Sequence, residues 1–381
     1  MRVLFTFIGG HGHLRPLLPV ATAARAAGHT VAIAGSARQS GAIRAEGFEA
    51  IPTNAPPDPV PASAPTRDLT PLEPVDPARD EREFADNFAG RGARRHAAAV
   101  LDVVRDWAPD VVVRDEADFG SGIAAEHEQV PCAVLLVLAA GSLLRRDLVA
   151  GPLGELRGDY GLAPDPTLAM VDGDLVLSPF PVSFRHPDFP LPATAFSYRT
   201  HTTVELVKKP GDVRRIYFTL GTTFNSCSGD LVERVLAGLH DFPGRVVATV
   251  GRDVDPAELG PQPDRIAVER YVDQATLLPT CDLVISHGGS GSVTGALAHG
   301  LPTLVLPLGA DQSHNGERLT RLGAGLVLDA TSAQPDDVAK AVHTLLGDPA
   351  YRHAAMAIRT EIAGQPGPEL AVAELEALVS G

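Results

Sequence analysis

Val3-Leu-Phe-Thr-Phe-Ile8, Gly9-Gly-His-Gly-His13 and Leu14-Arg-Pro-Leu-Leu-Pro-Val-Ala-Thr-Ala-Ala-Arg-Ala-Ala27-Gly28 form, in turn, a short unbroken apolar run, a glycine-rich turn and a helix-length segment closed by glycine. Thr30 to Ala34 adds a second apolar run. Strand, turn, helix and strand in that order make a βαβ unit, because parallel strands need a crossover and a helix supplies it. The same opening recurs past the middle of the chain. Ile216 to Leu220 reads as a strand, Gly221 to Ser228 as a polar turn, Gly229 to Leu239 as a helix and Arg245 to Val250 as a strand. Two such openings predict two doubly wound α/β domains.

Working outward, Asp110 to Arg114 and Cys132 to Leu138 read as further strands of the first domain, with a helix over Gly120 to Glu128 between them. In the second, Leu283 to Ser286 and Thr303 to Leu306 are strands around a helix from Ser290 to His299, and Asp336 to Leu346 is a later helix. The expected division is residues 1–200, residues 212–365, and a C-terminal helix in 366–381 that could pack on either domain, the first included. Thr53 to Pro77, dense in Pro, Ala and Asp, leaves little to bury and reads as a mobile surface loop.

A chain of 381 residues is comfortable for two cores. Aromatic residues make up only 5%, so those cores must rest on Ala, Val and Leu. The net charge of -15, with no Lys/Arg-rich run, argues against a nucleic-acid partner. Cys132, Cys227 and Cys281 form no CxxC pair, which points away from a disulfide framework or a zinc site and toward a reducing compartment. Met1 leads directly into the first strand without a cleavage pattern, and no apolar stretch reaches spanning length. The expected location is the cytoplasm, with no membrane segment.

Two constellations carry chemistry. The first is the turn after the opening strand. Its spacing Gly10-x-Gly12-x-x-Arg15 places a bulky cation where a dinucleotide fingerprint needs its third glycine, and no acidic residue ends the second strand. What remains is His11 and His13 at a C-terminal strand end, where open α/β sheets hold ligands; an imidazole there can serve as general base. Such a base needs a carboxylate on its other nitrogen. Asp115, just past Val111-Val-Val-Arg, occupies the corresponding end of another strand, whereas Glu116 and Asp118 read as solvated charges or caps of the following helix.

The second constellation is Val284-Ile-Ser-His-Gly-Gly-Ser-Gly-Ser-Val-Thr-Gly295, a strand, a glycine turn and a helix start. Free N–H groups and the positive end of the helix make this an anion site suited to a diphosphate, with His287 as a further donor and Thr222 and Thr223 reaching in from a neighbouring strand end. No lysine follows, so it is not a P-loop. Asp311, Gln312, His314 and Asn315 cluster after the next strand, a set suited to sugar hydroxyls. Asp253-x-Asp255 has metal-binding spacing but lies in a proline-rich loop, and Asp172-x-Asp174 reads as a turn; no metal and no cofactor are expected. Phe84, Phe88, Phe119 and the stretch from Leu135 to Leu148 offer an apolar acceptor pocket, although core packing explains them equally well.

The ordered set Gly12-His13-x-x-Pro16, Pro109-Asp-Val-Val-Val-x-Asp115, Phe218-Thr-Leu-Gly-Thr222, Tyr271-Val-x-Gln274, His287-Gly-Gly, Gly300-x-Pro302 and Asp311-Gln312 resembles the GT-B glycosyltransferases of natural-product pathways. The resemblance is nearest to the actinobacterial enzymes that decorate antibiotics such as calicheamicin, and spans nearly the whole chain. It implies two Rossmann-like domains facing a central cleft, and an inverting transfer of a sugar from a nucleoside diphosphate to a small hydrophobic acceptor. It selects His13 over His11 as the base, with Asp115 as partner. It implies a nucleobase beside Tyr271 and Val272, a diphosphate against Thr222, His287, Gly289, Ser290, Gly291 and Ser292, and sugar hydroxyls on Asp311 and Gln312.

The plant UDP-sugar enzymes belong to the same resemblance, and departures from their pattern are informative. Tyr271 and Asp273 stand where that pattern has Trp and Pro, and Gly295 stands where it has a glutamate holding both ribose hydroxyls of uridine. A donor without the 2'-hydroxyl loses less by that absence. A thymidine diphosphate donor carrying a deoxysugar is therefore expected. A sugar-nucleotide epimerase and a non-catalytic, nucleotide-binding activator of a partner transferase are the competing functions, and a homodimer stays open.

Overall fold

Thirteen strands among the described residues sort into two separate parallel sheets. The computed structural model describes residues 1–55, 67–200, 213–221, 227–251 and 254–381. Of these, 1–55, 78–200 and 365–381 build one compact unit, and 67–77 with the described part of 213–364 builds the second.

The first unit holds β1 (Arg2–Thr6), β2 (Thr30–Gly35), β3 (Glu49–Pro52), β4 (Val111–Asp115), β5 (Cys132–Leu135), β6 (Leu175–Ser178) and β7 (Ala195–Ser197). Their order is β3-β2-β1-β4-β5-β6-β7. The chain therefore reverses its direction of travel across the sheet between β1 and β4, which pair in register from Val3 with Val111 to Thr6 with Arg114. A reversal of this kind leaves an opening beyond the carboxyl ends of the two strands. Alternation decides the packing: Val3, Phe5, Val111 and Val113 enter the core on one face, and Leu4 and Val112 the core on the other. With both faces covered, the strands must be apolar throughout, as parallel strands are.

The second unit repeats the plan with β8 (Arg215–Thr219), β9 (Arg245–Thr249), β10 (Ile266–Glu269), β11 (Leu283–Ser286), β12 (Thr303–Val305) and β13 (Gly325–Val327), in the order β10-β9-β8-β11-β12-β13. Here the reversal lies between β8 and β11, with Phe218 level with Ile285 and Thr219 with Ser286. Ile216, Phe218, Leu283 and Ile285 fill one core, Tyr217 and Val284 the other.

Two local expectations change, and the placement left open for the C-terminal helix is decided. Helix begins at His11, not Leu14: His11–Leu14 is one α-turn, Arg15–Leu17 a 3-10 turn and Leu18–Ala26 the helix proper. Pro16 and Pro19 are each tolerated because they occupy first-turn positions, where no N–H is needed. The stretch from Thr53 to Pro77 is not wholly a loose loop, for residues 67–77 belong to the second unit. Arg67 donates to both carboxylate oxygens of Glu233, at 2.5 and 2.9 Å, and to the Gly229 carbonyl, while Leu72 packs on the core. The C-terminal helix Pro368–Ser380 buries Ala371, Val372 and Leu375 in the core of the first unit, and His29 meets Glu376 at 2.9 Å.

Candidate active site

Asp115 is the last residue of β4 and is fully buried. Its carboxylate is held by two backbone donors: Ile8 N–H gives a hydrogen bond of 2.9 Å to Oδ2, and Ala117 N–H one of 2.6 Å to Oδ1. Because β1 and β4 are neighbours, the residues just beyond β1 lie against this carboxylate. His13, in the first turn of the helix, brings Nδ1 to 3.3 Å from Asp115 Oδ1 while its side chain keeps 22% of its surface exposed. Gly9 permits this approach. It has φ +105°, and a Cβ there would stand 3.0 Å from the imidazole Cδ2. Phe88 stacks on the imidazole from another side, with centroids 5.6 Å apart and planes 25° apart.

An imidazole with Nδ1 facing a buried carboxylate has the chemistry of a general base: Nε2 can accept a proton, and the carboxylate can stabilise the imidazolium that results. His11, by contrast, has Nδ1 3.4 Å from Gln39 Oε1, and no carboxylate among the described residues pairs with it. Of the three phenylalanines expected to line an acceptor pocket, Phe119 is fully buried and Phe84 nearly so, both inside the core. Their rings are packed against one another and Phe88, at 6.5 Å for Phe84 with Phe119 and 4.9 Å for Phe84 with Phe88. Only Phe88 is part-exposed.

The turn after β4 holds more than the sequence reading gave it. Asp118 caps the helix Phe119–His127 as expected, accepting from Ser121 N and Oγ, but it is buried and also faces His96 Nδ1 at 3.3 Å. Glu116 is not a solvated charge. It accepts from the N–H groups of Val137 and Leu138, both at 3.0 Å, and stands 3.6 Å from Arg185. Burial pushes its carboxyl above the usual range, with Arg185 and the two N–H donors opposing. Buried Arg114 closes the turn, donating to the carbonyls of Asp115, Glu116, Met170 and Val171. His96 was legible in principle, since it falls on the buried stripe Ala93, His96, Ala97, Val100, Val104. Arg185, distant in sequence, carried no signal.

In the second unit, β11 delivers His287 into the turn before the helix Ser290–Ala298. The imidazole packs where side chains at Gly221 and Gly289 would otherwise project, each with a Cβ position 2.6 Å from the ring. Burial lowers its pKa to about 4, so the ring is neutral at pH 7. Ser290 Oγ donates to Asp311 Oδ2 at 2.6 Å, and Asn315 Nδ2 donates to the same oxygen at 2.8 Å and to the Gly288 carbonyl at 2.9 Å. Burial raises the Asp311 carboxyl, against the pull of these two hydrogen bonds. Gly291 is exposed and Ser292 half-buried at the helix start, the end that favours anions.

Gln312 is buried, and its Oε1 accepts from Leu308 N–H at 2.7 Å. Tyr271 is exposed, and half-buried Val272 packs beside Tyr217, Leu277 and Leu278. Asp273 caps the short helix Gln274–Leu277, which explains an acid at that position. Thr222, Thr223 and Asp253 lie outside the described residues. Asp255 caps the turn Pro256–Leu259, Asp172 pairs with Arg146, and Asp174 accepts from Cys132 N–H. Among the described residues no helix is long and apolar enough to cross a membrane.

Comparison with known proteins agrees with this architecture. The family model described as "Erythromycin biosynthesis protein CIII-like, C-terminal domain" matches residues 233–378. The 3-alpha-mycarosylerythronolide B desosaminyl transferase of Saccharopolyspora erythraea is 28% identical, the match covering 100% of this chain and 99% of that protein. A crystal structure of the glycosyltransferase VinC in complex with dTDP superposes with a TM-score of 0.77 at 27% identity, covering 100% of both chains. The calicheamicin glycosyltransferase CalG4 has the same fold, with a TM-score of 0.79 at 24% identity over 100% of this chain and 98% of that one. The fold is GT-B. In fold and along its whole length, the chain resembles the natural-product glycosyltransferases of the actinobacterial antibiotic type.

Proposed function

We propose that this nucleotide-sugar-dependent glycosyltransferase moves a deoxysugar from a thymidine diphosphate donor to a hydrophobic natural-product aglycone, with inversion at the anomeric carbon. The observation that carries the reading is the His13–Asp115 pair, 3.3 Å apart at the C-terminal ends of β1 and β4. His13 Nε2 takes the proton of the acceptor hydroxyl as the acceptor oxygen bonds to the anomeric carbon. The bond from that carbon to the phosphate oxygen breaks, and the nucleoside diphosphate leaves with the electron pair. Asp115 stabilises the imidazolium.

The leaving diphosphate is bound by the helix start at Gly289 to Ser292, by neutral His287 and by Thr222. Fixed dipoles there meet the growing negative charge without reorganising, so the reading needs no cation. Tyr271 and Val272 flank the nucleobase, and Asp311 and Gln312 meet the sugar, Gln312 through the amide nitrogen left over from its bond to Leu308. Phe88 forms one apolar wall for the aglycone. Gly295 supports a donor lacking the 2'-hydroxyl, since no carboxylate at that position is left seeking a partner. That a neighbour of the same fold was crystallised with dTDP supports the same choice.

The test is incubation with matched thymidine and uridine diphosphate sugars and a panel of polyketide-like aglycones. Glycoside formed preferentially from the thymidine donor is expected. A clear uridine preference overturns the donor assignment, and nucleotide release or sugar isomerisation without any glycoside overturns the transferase reading in favour of an epimerase.

A further inference from the structure

A wide helical turn stands against the imidazole. Pro77–Phe84, Ala85–Gly92 and Ala93–Trp107 follow one another without a break, and the middle segment is a π-helix in which Ala93 N–H reaches back to the Phe88 carbonyl, five residues earlier. Pi-helical turns are rare and cost hydrogen-bond geometry, so they persist where something requires the displaced register. Here the requirement can be read from burial. Phe84 and Ala85, then Ala89, then Gly92 and Ala93, then His96 and Ala97 are buried, a spacing of about four, with Phe88 half-buried on the same stripe. An α-helix advances about 100° per residue, so steps of four drift by about 40° each and two steps would swing the stripe off its face. The wide turn cancels that drift. Phe88 thereby stays over His13 while the later residues remain in the core.

The contacts close on themselves. A Cβ at Gly92 would stand 2.3 Å from the Asn87 carbonyl oxygen and 3.0 Å from Ile8 Cδ1, so glycine lets the wide turn seat on Ile8. Ile8 N–H holds Asp115 Oδ2, Asp115 Oδ1 faces His13 Nδ1, and the imidazole stacks on Phe88, which returns to the same wide turn. Phe88 in turn is backed by Phe84 at 4.9 Å. Carboxylate, glycine and phenyl ring thus fix three sides of the imidazole.

We infer that Phe88 is a positioning residue for the base and that the π-helical segment Ala85–Gly92 exists to hold its ring against His13. This rests on the reading of His13 as general base. A base must be held close to its productive geometry, and a displacement of about 1 Å can lower turnover on the order of 100-fold.

The experiment compares wild type with Phe88→Ala, Phe88→Tyr and His13→Ala. The ring signals of His13 are followed in protein carrying isotope-labelled histidine and assigned by His13→Ala. Turnover is followed as thymidine diphosphate released from thymidine diphosphoglucose, with methylumbelliferone or water as acceptor. In Phe88→Ala the His13 signals should lose ring-current shielding and broaden, and kcat should fall by about 10- to 100-fold, with affinity for thymidine diphosphate unchanged. Phe88→Tyr should restore both signal and rate. Unmoved His13 signals in Phe88→Ala would overturn the stacking. A moved signal with unchanged kcat, or equal losses in Ala and Tyr variants with a lowered unfolding midpoint, would overturn the positioning role. Wild-type turnover in His13→Ala sinks the base reading itself, and the signals still report whether the ring holds the imidazole.

Discussion

Asp115 engages three groups at once, the N–H groups of Ile8 and Ala117 and the imidazole of His13, and each keeps the others in place. Replacing His13 by alanine removes the proton acceptor and leaves that carboxylate scaffold standing. Turnover should fall by about 10²- to 10⁴-fold with the unfolding midpoint little changed; a variant that turns over like wild type disproves the role. His287 offers a test with another sign. Its unfolded imidazole protonates near 6.5 and its buried form resists protonation down to about 4, so the unfolded chain binds the extra proton between these values. Stability from this group is therefore present above 6.5 and lost as pH falls toward 4, by up to about 3 kcal/mol. His287→Asn should flatten that part of the stability-against-pH curve, and an identical curve would show that the ring is not buried neutral. Both histidines were visible as motif residues. The neutral state of His287 was not, because it depends on the enclosure between Gly221 and Gly289.

At the scale of elements, the segment 67–77 is held by one anchor in particular. Arg67 is almost fully buried, and its guanidinium forks onto Glu233 and the Gly229 carbonyl, which raises its already high pKa through the Glu233 hydrogen bond. Arg67→Ala leaves Glu233 without its partner and frees the backbone around Leu69 and Leu72. Thermolysin should cut there several-fold faster than in wild type, with exposed-loop cleavage tracking the local opening free energy. An unchanged cleavage pattern means that the segment does not depend on the arginine. Composition alone had suggested a loose loop, because a proline-rich stretch shows no periodicity even when one arginine and one leucine suffice to dock it. The helix start at His11 was missed for a related reason, since Gly9, Gly10 and Gly12 made His11 to His13 read as a glycine turn, whereas the structure begins its first α-turn there.

On the scale of the molecule, the last helix completes the first unit's core rather than trailing from it. Ala371, Val372 and Leu375 are buried, Arg199 N–H meets the Pro366 carbonyl, and Gln365 Nε2 meets that of Phe180. A chain ending at Gly364 uncovers one valine and one leucine site, about 3–6 kcal/mol of burial, a large part of a domain's net stability. Its unfolding midpoint should fall by roughly 10 °C or more in calorimetry. Should the truncated chain melt like the full one, the helix contributes no core.

What the amino-acid order determined by itself was the repeating local plan: apolar runs that must be doubly buried strands, glycine turns at their carboxyl ends, and the repetition of that plan in two halves. His13, Asp115 and the turn from His287 to Ser292 were legible because each lies at a strand end, where the parallel plan leaves only one direction to face. The tertiary structure alone decided which distant groups meet: Glu116 with Arg185, His96 with Asp118, and the wide turn of the helix with the imidazole. Those pairings follow from how strands and helices pack across the sheet, and packing brings together residues whose separation along the chain leaves no periodic trace.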